Sequence, residues 1–455
     1  MPLSPFAPSR MPRITDVERI TLDVPFRKAV AEWNDLLVRQ YRVVEVVILR
    51  TEDPEIVGFG ETLPHYTWGS VTDEAVSRAL GKSLLDLLGD DGWGAGLQMA
   101  AYDAAGKALG VPVWKLFNLP RLRDKAPLAW WSTKMPPELL AEEAKTALQN
   151  GYLAHKIKLR PWFDIYAQIE AISRVTPESY VIEPDFNDML LDSERATPVL
   201  QELDRFSRVR LYEGPIPQRD VEGYVQLRKA TNRPIAIHFG LPDFATAVRA
   251  GMCGAFVLNE GVVSTLAQAQ KASAFGLSCF IQMTGLGLTT ALMCHLSAVL
   301  PCEILPAVTN RHSFENDLTF GELPVLEGHI MIPDAPGLGV TLDEAALVRY
   351  KMSPPYSIPL SRHLITVRWE NGKCITYPYM ARPTPTKSGA AFSHLQFAEA
   401  NAAEGEAPGL WEEALGGKMP YFERGVSTTV KRDDGSSEWT ELYARASIAP
   451  VHTHA

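Results

Sequence analysis

Between residues 126 and 305, short apolar runs alternate with amphipathic stretches whose apolar positions recur at three- and four-residue spacing. The runs are LAWWS (128–132), AHKIKL (154–159), YVIEPD (180–185), VRLYEG (209–214), PIAIHF (234–239), GAFVLN (254–259), SCFIQM (278–283) and CEIL (302–305). Each has the length of a buried strand. They recur roughly every 20 to 29 residues, the span of one strand, one helix and two loops. Eight such units without a break predict an α/β fold, a closed (β/α)8-type (TIM-like) barrel over residues 126–320, rather than an open doubly wound sheet.

Upstream, ITDVERITLDV, VVEVVIL (43–49) and IVGFGE read as strands. VTDEAVSRALGKSLLDLL and GLQMAAYDAAGKALG follow as helices, the second ended by Gly110 and Pro112. Residues 14–125 therefore form a separate α+β unit. Downstream, PDAPGLGV (333–340) and a short helix TLDEAALVRY occupy a segment over 321–350. The remaining 351–455 contain a hairpin, HLITVRWENGKCITYP, turning at Asn371-Gly372, and an alanine- and acid-rich stretch, AEANAAEGEAPGLWEEALGG, read as helix plus loop. No chemistry is visible in this tail, and its expected role is packing or oligomer contact.

The length, 455 residues, supports this division into more than one core. A net charge of −10 argues against nucleic acid or an anionic membrane surface as partner, since phosphate binding needs clustered positive charge. Cys253, Cys279, Cys294, Cys302 and Cys374 are scattered, without a CxxC pair, and read as reduced core residues. MPLSPFAPSRMPR has no apolar core of a secretory signal, and no apolar run reaches membrane-spanning length, so a cytoplasmic location is expected.

The polar residues that close the strands carry the chemistry. In order they are Lys156 and Lys158, Asp185 with Asn187, Glu213, His238, Asn259 and Gln282. In such a barrel the C-terminal strand ends face one mouth. Lys156 and Lys158 are two apart and share a strand face, where burial demands anionic compensation. Asp185 and Glu213 close successive strands, and adjacent carboxylates repel unless a cation lies between them. Oxygen ligands on neighbouring strands suit Mg²⁺ or Mn²⁺. His238 closes the next strand, where a third ligand would fall. It also reads as a free acid or base, or as the mark of a site that has lost its metal.

The order of GFGE, GLQMAAYDAAGKALGVPVWKLF, HKIKLR, EPDFN, YEGPI, TGLGLTTALMCHLSAVLP and PDAPGLGVTLDE resembles the enolase superfamily, on the side of the mandelate racemases and muconate lactonizing enzymes. The resemblance covers about residues 14 to 350. It implies that 14–125 caps the barrel and that 321–350 returns to the cap. It implies removal of the proton α to the carboxylate of a small-molecule substrate bound to a divalent metal, which stabilises the enediolate. Lys158 is the base by position, and Lys156 is the neighbour that tunes it and contacts the substrate carboxylate. Asp185 and Glu213 match metal ligands, and Asn187 is a polar neighbour that contacts substrate. The metal expected is Mg²⁺, with Mn²⁺, Fe²⁺ or Zn²⁺ admitted by the imidazole of His238. A homo-oligomer is implied as well.

Three positions depart from that pattern. His238 stands where relatives have Asp or Glu. Asn259 stands where they have lysine or aspartate, although Glu260 follows it. Gln282, Met283 and Thr284 stand where the racemase type carries a histidine base, and His295 falls inside the next helix as a packing residue. Without a second base, dehydration of a hydroxy or sugar acid is favoured over racemization, epimerization or cycloisomerization. A non-catalytic relative that binds a ligand without metal is the remaining alternative. Substrate contacts are expected from cap loops at Arg27-Lys28, Trp33-Asn34 and His65-Tyr66-Thr67-Trp68. Arg160 and Arg311-His312 are placed to hold a second anionic or hydroxylated group.

Overall fold

The computed structural model describes residues 11–66, 69–302, 304–354, 356, 362–379 and 422–454. The cap opens with β1 (Ile14–Asp23), β2 (Val43–Thr51) and β3 (Val57–Thr62), an antiparallel sheet in the order β1-β2-β3. Strand β2 is a nearly continuous apolar run, buried along its length except at Arg50, and so takes the centre.

Helix α1 (Ala95–Leu109) lies on β3 at backbone contact. A Cβ on Gly58 would stand 2.0 Å from the Ala100 carbonyl oxygen, and one on Gly60 2.0 Å from that of Gly96. That close approach explains the spacing in GFGE. Asp103 of α1 accepts from the Phe59 amide at 2.9 Å and from the Leu338 amide at 2.8 Å, so one side chain ties the cap strand to PDAPGLGV.

Seven parallel strands follow: β4 (Trp130–Ser132), β5 (Ala154–Lys158), β6 (Val181–Asp185), β7 (Tyr212–Glu213), β8 (Ile235–His238), β9 (Ala255–Leu258) and β10 (Ser278–Ile281). They pair in sequence order into one sheet. The eighth expected strand, CEIL, appears instead as isolated bridges from residues 304–308. Ile304 meets Cys279 and Val308 meets Gln282 on one edge, while Ala307 meets Leu128 on the other. Pro306 has no N–H to give a ladder, so pairing falls on either side of it. These contacts close the barrel. Leu211, Ala236, Ala255, Val257, Phe280 and Leu305 form a separate apolar cluster that fills it.

One expectation is corrected in the same region. Cys279 and Cys302, read as reduced thiols, are joined by a disulfide across a Cα–Cα distance of 6.3 Å, which such a bond spans. Closure of the barrel brings them together, because the Leu305 amide donates to the Cys279 carbonyl at 2.9 Å. Cys253, Cys294 and Cys374 are free and buried.

The loop after β5 leads into α2 (Ile165–Val175), and α3 (Ser193–Leu203) follows β6. After β10 comes α4 (Gly287–Val299), apolar and buried on all sides. Glu61 of the cap accepts from the Leu286 and Thr289 amides at 2.7 and 2.8 Å, setting a carboxylate on the start of α4 where the helix dipole favours it. The joint between cap and barrel is thus a specific capping contact.

The tail forms β11 (His363–Arg368), β12 (Lys373–Tyr379), β13 (Ser427–Arg432) and β14 (Val451–His454) in the order β13-β11-β12-β14, with helix α5 (Ser437–Ile448). The hairpin turns at Gly372, whose φ is 82°. AEANAAEGEAPGLWEEALGG lies outside the described residues. The tail sheet packs on the barrel rather than standing apart. Val426 accepts from the Asp164 amide at 3.1 Å, Gly425 donates to the Asp164 carboxylate at 2.7 Å, and Arg424 joins Glu170 of α2 (3.0 Å) to Glu202 of α3 (3.1 Å). Among the described residues, no helix is long and apolar enough to cross a membrane.

Candidate active site

Strand alternation sends every second side chain into the barrel. Ala255 and Val257 belong to the interior cluster, so Asn259 shares their parity and Glu260 does not. The same alternation brings Lys156, Lys158, Asp185, Glu213, His238 and Gln282 to one mouth.

Lys156 is 1% exposed, and its ammonium stands 2.5 Å from Glu213 Oε2 and 3.2 Å from Asp185 Oδ2. It also donates to Gln282 Oε1. Lys158 pairs with the same Asp185 oxygen. His238 Nε2 is 3.3 Å from the other oxygen of Glu213. The backbone of His238 is fixed by Gln218, which accepts from its amide at 2.7 Å and donates to its carbonyl at 3.1 Å.

Burial works against the Lys156 ammonium, but Glu213 and Asp185 outweigh it and hold its pKa above the ordinary lysine value. Lys158 goes the other way. Burial lowers it, and Lys156 adds to the lowering against the pull of Asp185. Burial would raise Asp185, but Lys158 and Lys156 hold it well below the usual carboxylate range. The nearby Asp188 is pushed up to about 8 by burial and by the charge of Asp185.

Two carboxylates on neighbouring strands and an imidazole are donors that a divalent ion accepts. Their arrangement does not fit one. Among the described residues, no three His, Cys, Asp or Glu side chains converge as a metal-ligating group, and the Lys156 ammonium lies between the two carboxylates.

Above Lys158 is a pocket of about 40 Å³. Of the expected substrate contacts, Tyr66, Arg160 and Asn187 line it. Arg160 is buried and donates to Asn187 Oδ1 at 2.9 Å and to the Leu159 carbonyl at 2.8 Å. Asn187, Asp188 and Leu191 all have positive φ (46°, 66° and 70°), a backbone strain concentrated beside the site.

Trp33 does not line the pocket and packs on Phe163, ring centres 6.0 Å apart. His312 lines a different, wider cavity outside the barrel, stacked on Trp130 at 3.8 Å. Trp68 lies outside the described residues. Sequence reading missed Lys134, which lines the pocket together with Thr133, Tyr41 and Thr284. Lys134 lies two residues beyond the first barrel strand, in the loop that follows it, whereas Lys158 is the last residue of the second. Three of the residues lining the pocket, Lys134, Lys158 and Arg160, are cationic, and none is acidic.

Residues 139–346 match the family described as enolase C-terminal domain-like. The chain is 25% identical over 295 residues to a D-gluconate dehydratase of Thermoproteus tenax, covering 60% of this chain and 58% of that protein. It is 22% identical over 365 residues to an N-succinyl-L-Arg/Lys racemase of Bacillus cereus, covering 72% of this chain and 94% of that one. A crystal structure of muconate cycloisomerase from Pseudomonas fluorescens superposes with a TM-score of 0.61 at 22% identity, covering 76% of this chain and all (100%) of the other.

Proposed function

We propose that the protein is an enzyme that removes the proton next to a carboxylate and expels a neighbouring hydroxyl, a dehydratase of hydroxy or sugar acids, a reading that the match of residues 139–346 to the enolase C-terminal domain-like family supports. One observation carries this reading: the pocket over Lys158 has three cationic residues and no acidic one on its walls. Such a lining binds an anion and stabilises the charge that spreads onto the carboxylate as the proton leaves.

Lys158 is the base. Burial and the Lys156 charge lower its pKa, which brings more of it into the neutral form that accepts a proton. Lys134 and Arg160 orient the substrate carboxylate over Lys158. The C–H bond breaks towards Lys158 Nζ, and the resulting carbanion pair expels hydroxide from the next carbon. Lys158, now protonated, returns its proton to that leaving group, so water departs and a 2-keto acid remains after tautomerisation. A single residue serves both steps, as a syn elimination requires. The uncharged ends of β9 and β10, Asn259 and Gln282, favour this one-base path over a two-base racemase.

The test is incubation with a panel of hydroxy and sugar acids in D₂O, following the α-proton and the keto product by NMR. Dehydration that disappears in Lys158→Ala supports the reading. Exchange at the α-carbon without loss of water would make the protein an epimerase instead. An activity unchanged in Lys158→Ala would sink both.

A further inference from the structure

Lys156 is held as a bound ion is held. Its three N–H directions are met by Glu213, Asp185 and Gln282, which satisfies an ammonium completely. The side chain is fully buried, so this is a built site and not a surface lysine. A divalent ion between the same oxygens would need to lie about 2.1 to 2.6 Å from each, in the space the nitrogen fills. Charge points the same way. Asp185 and Glu213 supply two negative charges, and Lys156 already stands between them with Lys158 alongside. The third group on the mouth, His238, adds no negative charge to hold a further cation.

We propose that the Lys156 ammonium is the resident cation of this site and stands in the place a divalent metal would take. The proposal deepens the dehydratase reading, on which it rests for the position of the substrate. The anionic end of the substrate is then met by protein cations, Lys134 and Arg160, and turnover needs no metal.

The test counts Mn²⁺ on the chelator-treated full chain by equilibrium dialysis and electron paramagnetic resonance. The wild type is expected to hold far less than one ion per chain at about 1 mM Mn²⁺. Lys156→Met, which removes the charge and keeps the length, is expected to take up about one, at least about tenfold more tightly. Adding Glu213→Gln should abolish that gain. Lys156→Gln replaces Lys156→Met if circular dichroism shows that the latter does not fold. Uptake of about one ion per chain by the wild type overturns the proposal, as does a folded Lys156 variant that gains no ion. Ion counts need no substrate, so they stand or fall apart from the proton-exchange assay. Mn²⁺ in the wild type with exchange intact would sink this inference alone.

Discussion

The two sides of the barrel mouth are built alike and charged differently. Strands β5 to β8 end in Lys156 and Lys158, Asp185 and Glu213, joined by ion pairs, and in His238, whose Nε2 is 3.3 Å from Glu213. Strands β9 and β10 end in Asn259 and Gln282, equally buried but uncharged. Lys158 is the most exposed of these side chains at 14%, and the others are buried on both sides, so solvent does not account for the contrast. On the first side each charge is compensated by the next strand, which makes burial of several ionised groups tolerable. On the second, Gln282 serves the first side by accepting from Lys156, and Asn259 Nδ2 has no hydrogen-bond partner. On the proposed reading, chemistry that needs a base on each face of its substrate is poorly served and chemistry with one base is favoured.

The largest effect is expected from removing that base. Lys158→Ala should lower α-proton exchange by about a thousandfold, and Lys158→Arg should not restore it, because a guanidinium stays protonated. A comparable loss in Asn259→Ala would break the contrast between the two sides.

Next in size is Glu213→Gln, which leaves Lys156 with one carboxylate in place of two. Breaking such a buried pair should cost about 3 kcal/mol of stability, read from the urea unfolding midpoint. Unchanged stability would mean that the network on the charged side is not what holds it.

A smaller effect sharpens the link between the lysines. The base must be neutral, so the rate should rise with pH and level off below the ordinary lysine value, since Lys158 is lowered from it. Replacing Lys156 by glutamine removes a cation and leaves Asp185 and Glu213 less compensated. Both changes raise the Lys158 pKa, so in the presence of chelator the profile should move up by about one unit. An unmoved profile would assign the tuning to burial alone.

The smallest effect belongs to the uncharged side. Asn259→Ala should change the exchange rate by less than about threefold, since no contact of its amide nitrogen is lost.

Alternation and spacing were enough to read seven of the barrel strands, the strand-end residues and the face they share. The eighth was placed too early, because an apolar tetrad looks like a strand and the pairing that matters straddles Pro306. The disulfide was not legible, since its two halves meet only when the barrel closes. Within the site, strand parity gave which groups converge but not which pairs form. A lysine between two carboxylates and a metal between them imply the same residues in the same order. His312 shows another limit. It follows the closing segment, yet its ring stacks on Trp130 and its Nε2 is held by the Trp131 backbone, contacts that spacing does not show. Lys134 was not legible from the strand ends, because β4 stops at Ser132 and Lys134 reaches the pocket from the loop beyond it.

Strand β3 carries the seam of Gly58 and Gly60 on one helix and the Glu61 contact to another. A seam in which backbone touches backbone has no side chains to trim or enlarge, so it cannot be tuned by small steps. Substitution there is expected to be all or nothing. The loops that hang from the cap, Leu37 to Tyr41 and Tyr66, have no such restriction and border the pocket. Evolutionary change of substrate in this protein is thereby channelled: the frame is inherited whole, and novelty has to be written in the loops.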